Sequence, residues 1–175
     1  MQNQTWSLPH KTSPTSGFTL LEVLLVVFII GILAAVGIPS WLAWVNSLKL
    51  DTAQDKVYAG LLEAKSKAKQ QKITYQISFR DNNGLAQWVV HPASITPSDD
   101  SGWQSLDAEV KIDTNHTTFY QTPATGFWRM QFNHKGHANG QLGRVTLTLE
   151  NNSNQHRCVF VSTLLGAMRE DEDCD

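Results

Sequence analysis

The sequence predicts an α+β protein: a long N-terminal α-helix, transmembrane in its first half, packed against an antiparallel β-sheet head. Three observations predict it. An almost unbroken apolar run extends from Phe18 to Ile38. Beyond Pro39, apolar residues recur at three- and four-residue intervals, the period of one helical face. From Ile73 onward the pattern turns to alternation broken by turn signals, the period of strands. A chain of 175 residues has room for one domain plus such a helix, and hardly for two cores.

Residues 1–16 are polar, with Pro9, Pro14 and several Ser and Thr, a composition that buries too little apolar surface to order itself. His10 and Lys11 are the only positive flank, a weak orientation signal. The run from Phe18 to Ile38 is apolar except for Thr19 and Glu22. At about 1.5 Å per residue its roughly 21 residues span about 31 Å, enough to cross a bilayer core. A secretory signal peptide would be cut after such a stretch, whereas the small-residue junction at Gly17 precedes it. A plain membrane anchor would explain the length but not Glu22. A carboxylate at membrane depth is costly and usually functional.

Gly17-Phe18-Thr19-Leu20-Leu21-Glu22 with the apolar run behind it resembles the N-terminal signature of type IV prepilins and type II secretion pseudopilins. The resemblance implies that residues 1–17 are a leader removed after Gly17 by a prepilin peptidase. It implies that the new N-terminal Phe18 is N-methylated and that Glu22 guides assembly with other pilin or pseudopilin subunits. Processing would free an α-amine at Phe18, four residues before Glu22 on the same helical face. In a growing fibre, Glu22 of one subunit would pair with the Phe18 amine of its neighbour and neutralise both charges in a low-dielectric core. The alternative for Glu22 is to snorkel to the interface without a partner. Pro39 removes a backbone donor and clashes with the preceding turn, so a kink or local melting is expected there. In pilins a proline at this position lies where the helix unwinds in the filament. The domain reading is a leader over 1–17, a transmembrane and assembly helix over 18–39, an amphipathic continuation over 40–72 and a β-rich periplasmic head over 73–175.

In the continuation, Leu42, Val45, Leu50, Ala53, Val57, Leu61, Ala64 and Ala68 mark the face expected to meet the head. Trp41 and Trp44 fall just past the apolar span, where indoles favour the membrane–water interface. Glu63, Lys65, Lys67, Lys69 and Lys72 cluster at the far end, a charge suited to a helix C-terminus and read as a solvated face rather than a polyanion site.

The head reads as strands over Ile73–Arg80 and Leu85–His91 joined by the Asp81-Asn82-Asn83-Gly84 turn. A less regular stretch over 92–117 holds one short strand around Ala108–Ile112. Further strands are expected over Gly126–Phe132, Arg144–Leu149 and, last, Arg157–Leu165, with a turn at Asn151–Gln155. The order Phe132-Asn133-His134-Lys135-Gly136, Val145–Leu149, Val159–Ser162 and Gly166-Ala167-Met168-Arg169 resembles GspH/FimT-type minor pilins and pseudopilins. Ala167 stands where that family often has an arginine, and only Arg169 remains.

Cys158 and Cys174 are the two cysteines. In a head exported to an oxidising compartment they would form a disulfide; in a cytosolic chain they would stay as thiols. The last six residues carry five of the sixteen acidic groups, and removal of residues 1–17 leaves a net charge of −3. Neither the total nor its distribution suggests a DNA footprint.

No enzyme constellation emerges, and no cofactor or metal is expected. His134 and His137 sit in a Gly/Asn-rich turn with no nearby Cys or carboxylate to complete a zinc set. His91, His116 and His156 are scattered singly. The acidic tail lacks the ligand spacing of a calcium loop and reads as a solvated, fraying end held by Cys174. Trp88, Trp103, Trp128, Phe119, Tyr120 and Phe127 are core candidates, with Trp103 a subunit contact instead if it lies in the variable loop. The functional expectation is a minor pilin or pseudopilin that primes or caps a type IV pilus or a type II secretion pseudopilus. Its site is the inner membrane with the head in the periplasm, or the cell exterior once in a pilus. A DNA-binding competence pilin is the alternative, opposed by Ala167 and by the acids after Arg169. A membrane-tethered periplasmic domain without a filament role is a third reading.

Overall fold

A computed structural model describes residues 17–98 and 101–174; residues 1–16 of the expected leader lie outside them. The chain falls into two units, Met1–Trp41 and Leu42–Asp175.

Helix α1 covers Leu20–Gln71. Thr19 caps it, its hydroxyl accepting the Glu22 N–H at 3.3 Å, which satisfies one of the free donors of the first turn. Lys72 ends it in the left-handed region at φ 60°, a common helix stop. The helix continues through Pro39, so the local melting expected there does not occur in the isolated chain. In the first unit no described residue is buried. An 18-residue window in α1 has a mean hydropathy of 2.9 with none of it buried, and the helix is long and apolar enough to cross a membrane.

In the second unit, α1 buries Leu50, Ala53, Gln54, Val57, Gly60, Leu61, Ala64 and Ala68. The apolar stripe therefore begins later than the spacing suggests: Leu42 stays 56% exposed and Val45 half-buried. At Gly60 the helix approaches the first sheet closely, since a Cβ there would lie 2.8 Å from Ile77 Cδ1 and from the Trp88 ring.

Among the described residues nine strands follow: β1 (Tyr75–Asn82), β2 (Leu85–Pro92), β3 (Gln104–Ser105), β4 (Val110–Ile112), β5 (Tyr120–Gln121), β6 (Trp128–Phe132), β7 (Gly143–Leu149), β8 (Asn152–Val161) and β9 (Met168–Asp171). They form two sheets, β3-β2-β1-β6-β5 and β4-β7-β8-β9, in which every pairing is antiparallel. In the first sheet Tyr75, Ile77 and Phe79 pair with Phe132, Met130 and Trp128. All six are buried and belong to one core with the helix face. In the second, Val145 pairs with Val159 and Ile112 with Leu147, and these close the same core.

The β1–β2 hairpin turns at Asn83 and Gly84, both at positive φ, as the turn residues predict. Gly84 N–H donates to Asp81 Oδ1 at 2.7 Å. Strand β1 starts at Tyr75 rather than Ile73, because Lys72 and Ile73 are used to leave the helix. The two-residue strands β3 and β5 are too short to show any alternation. Asn152–Gln155, expected as a turn, opens β8 through a register shift at Thr148/Leu149. Nor is the strand ending near Val161 the last: Met168–Asp171 returns as β9 beside β8, so the acidic tail is partly ordered strand rather than a fraying end.

Of the aromatic core candidates, Trp88, Trp128 and Phe119 are buried. Tyr120 is 41% exposed and Phe127 and Trp103 are half-buried. Trp103 meets Phe127 edge-on at 5.2 Å, lies under the Arg80 guanidinium at 4.1 Å and donates its indole N–H to the Ser98 carbonyl at 2.8 Å.

Candidate functional site

The first candidate is the start of α1. Gly17, Phe18 and Thr19 precede the helix, and Phe18 is 80% exposed. Thr19 and Glu22 stand at the cap and third helical positions, a Thr-x-x-Glu spacing that favours helix initiation at that point. The sequence places Thr19 in the N-terminal motif without a capping role, which this spacing signals. Glu22 is the only ionisable residue between Phe18 and Lys49. Its carboxylate lies near the helix N-terminus, where the backbone dipole favours negative charge. The side chains of Leu20, Val23, Leu24 and Val27 stand on this segment largely exposed to solvent. Such a surface needs lipid or another protein to cover it.

The second candidate region is the C-terminal end of the head. Cys158 and Cys174 form a disulfide with their Cα atoms 5.8 Å apart, within the usual range. Gln54 on α1 donates to the carbonyls of Cys158 at 2.9 Å and Asp171 at 3.0 Å. Arg157 on β8 pairs with Asp51 on α1 at 2.6 Å and with Glu172 at 3.2 Å. Lys65, expected on a solvated face, donates to the Gly166 carbonyl at 2.7 Å, and burial followed by the nearby Lys69 lowers its pKa. The turn before β9 is thus fastened to the helix. Arg169 lies over the Phe160 ring at 4.4 Å and pairs with Asp171 at 2.6 Å.

The histidines divide differently from their sequence reading. His134 lies in the Asn133–Gly136 turn with His137 just beyond it, where Asn133 Oδ1 accepts the backbone N–H groups of Lys135 and His137. His91 is buried in a polar layer on the outer side of β1 and β2. Its Nδ1–H donates to the Pro92 carbonyl at 2.9 Å, and its Nε2 lies 3.1 Å from the Gln76 amide and 2.9 Å from the Ser78 hydroxyl. Burial lowers its pKa, partly offset by the Pro92 and Ile95 carbonyls. His116 and His156, read as isolated, meet beside Asp113. Their Nδ1 atoms lie 2.7 and 3.3 Å from Asp113 Oδ2.

Residues 13–38 match the family pattern described as the prokaryotic N-terminal methylation motif. No protein of curated function matches the chain in sequence. Among solved structures, the minor pseudopilin EpsH from the type 2 secretion system of Vibrio cholerae aligns with a TM-score of 0.50 at 8% identity, covering 73% of this chain and 99% of that one. The type IV minor pilin FimU of Pseudomonas aeruginosa aligns with a TM-score of 0.50 at 12% identity, covering 73% of this chain and 92% of that one. At such identities the likeness is one of fold: a long N-terminal helix packed against antiparallel sheets.

Proposed function

We propose that the chain is a minor pilin or pseudopilin, a non-enzymatic structural subunit that primes or caps a type IV pilus or a type II secretion pseudopilus. The observation that carries this reading is a methylation motif whose single carboxylate, Glu22, lies in the first turn of a bare apolar helix. The fold shared with EpsH and FimU supports it. A prepilin peptidase cuts after Gly17, and the released Phe18 is N-methylated. The apolar helix holds the subunit in the bacterial inner membrane with its head in the periplasm until assembly. There, lipid around Phe18–Pro39 is exchanged for neighbouring helices, and Glu22 pairs with a Phe18 amine. Pro39, which denies the Ala35 carbonyl its helical donor, is the place at which the helix kinks or unwinds in the filament.

No observation favours DNA binding. Arg169 is occupied by Asp171 and Phe160, and Glu170 and Asp171 follow it directly.

The test is the intact mass of the protein from membranes of cells with and without the prepilin peptidase. The expected result is loss of residues 1–17 and gain of one methyl group on Phe18 only when the peptidase is present. An identical, full-length mass in both strains overturns the proposal.

A further inference from the structure

We propose that Asp113, His116 and His156 form a binding site for a divalent transition cation of the zinc type on the outer face of the second sheet. Neither the methylation motif nor the shared fold assigns any function to these residues. Each offers one ligand atom, a carboxylate oxygen or an imidazole nitrogen, and the three lie within 4.8 Å of one another; the two imidazole Nδ1 atoms stand 2.7 and 3.3 Å from Asp113 Oδ2. The imidazole rings are 5.2 Å apart and tilted by 54°, so both nitrogens face the same carboxylate oxygen.

The scaffold brings these residues together and holds them. Asp113 and His116 belong to the loop that leaves β4 and runs along β7. There Asp113 N–H donates to the Thr146 carbonyl at 2.8 Å and Thr118 N–H to the Arg144 carbonyl at 2.9 Å. His156 projects from β8 opposite Thr148 of β7. The backbone carbonyl of His116 accepts from Arg144 Nε at 2.9 Å and from the Thr146 hydroxyl at 3.1 Å. That of His156 accepts from Arg157 Nη1 at 3.0 Å. Asn115 N–H occupies Asp113 Oδ1 at 2.9 Å, which leaves Oδ2 for the histidines.

An independent observation points to a missing partner. His156 Nδ1 is fully buried and makes no well-formed hydrogen bond among the described residues, although it lies only 3.3 Å from Asp113 Oδ2. A buried polar atom left in this state is costly. A cation between the three atoms would satisfy it, with both imidazoles neutral and binding through Nδ1. Two imidazoles and one carboxylate suit zinc and its neighbours rather than calcium or magnesium, which favour all-oxygen shells. His116 is 41% exposed in its side chain, so a fourth position is open to water. Bound there, the cation would fasten the Asp113–Thr118 loop to β8.

The experiment uses the full-length, tag-free protein in detergent, titrated with zinc alone and, separately, with cobalt(II), whose visible spectrum reports coordination. The expected result is one zinc per chain, a visible cobalt spectrum, and a rise in melting temperature on adding zinc. His116→Gln and His156→Gln are each expected to weaken zinc binding by about tenfold or more. His134→Gln with His137→Gln leaves it unchanged. Melting of each variant without metal shows that it is folded, and the exposed His116 provides a variant that does not disturb the core. Absence of saturable binding at one per chain overturns the proposal, as does binding that survives both ligand substitutions or disappears with the His134 and His137 pair.

Discussion

Gln54, a polar residue on the buried face of α1, donates to the backbone carbonyl of Cys158 at 2.9 Å, across 104 positions of sequence. The same amide reaches the Asp171 carbonyl at 3.0 Å. One side chain therefore ties the helix to the β8–β9 pair at the level of the disulfide. Leucine at this position has a similar size but no donor. Gln54→Leu should lower the stability of the head by about 1–3 kcal/mol, the range for leaving a buried acceptor unsatisfied. Thermal melting of the full chain followed by tryptophan emission checks this, and an unchanged or higher melting temperature would show that both carbonyls are satisfied otherwise.

The Cys158–Cys174 bridge closes a loop with a sequence separation of 16 around β9. For such a loop the chain-entropy account gives about 3 kcal/mol. Replacing both cysteines by serine should destabilise the head by an amount of that order and loosen the end beyond β9. Amide exchange over 168–174 is the measurement; protection equal to wild type would mean that pairing with β8 and the Gln54 bond hold the end unaided.

His91 provides a pH dependence with a definite sign. Burial holds its pKa below the ordinary value, because the charged imidazolium loses its solvation there, partly offset by hydrogen bonding to the Pro92 and Ile95 backbone. The unfolded chain therefore takes up the proton first as pH falls. The stability contributed by neutral His91 is complete above about pH 6.5 and declines below it. Melting temperatures at pH 7 and pH 5 should fall further for wild type than for His91→Asn. Equal falls would place the titration elsewhere.

Glu22 carries the assembly proposal. Glu22→Ala should impair incorporation into filaments while leaving the head folded, since no described residue of the first unit is buried. The lost pairing leaves a Phe18 amine uncompensated in an apolar core, a penalty of about 3–5 kcal/mol. Comparing filament and membrane fractions by immunoblot measures it, and normal incorporation would show that this charge pairing is dispensable.

Much of the fold is legible in the chain because it is written locally. The apolar run, the stripe from Leu50 to Ala68 and the Asn83-Gly84 turn each depend on residues within a few positions of one another. The same holds for the N-terminal motif from Gly17 to Glu22, whose residues are adjacent in the chain. Errors gather where pattern is short or polar. The strands Gln104–Ser105 and Tyr120–Gln121 are too brief to alternate. Glu170 and Asp171 look like the start of a solvated acidic tail because nothing in their own residues announces β8 and Gln54 as partners.

The sequence by itself therefore determined the class of the protein: a motif-bearing apolar helix leading into an antiparallel head. Tertiary structure alone decided which distant residues meet. Asp113 and His116 face His156, Arg157 reaches Asp51, and Lys65 fastens the turn before β9. Helical period and hydropathy are one-dimensional properties that a chain displays in order. Such meetings depend on strand register and on which face each residue presents, and a shift of β8 by one position would turn His156 and Arg157 to the opposite faces of the sheet.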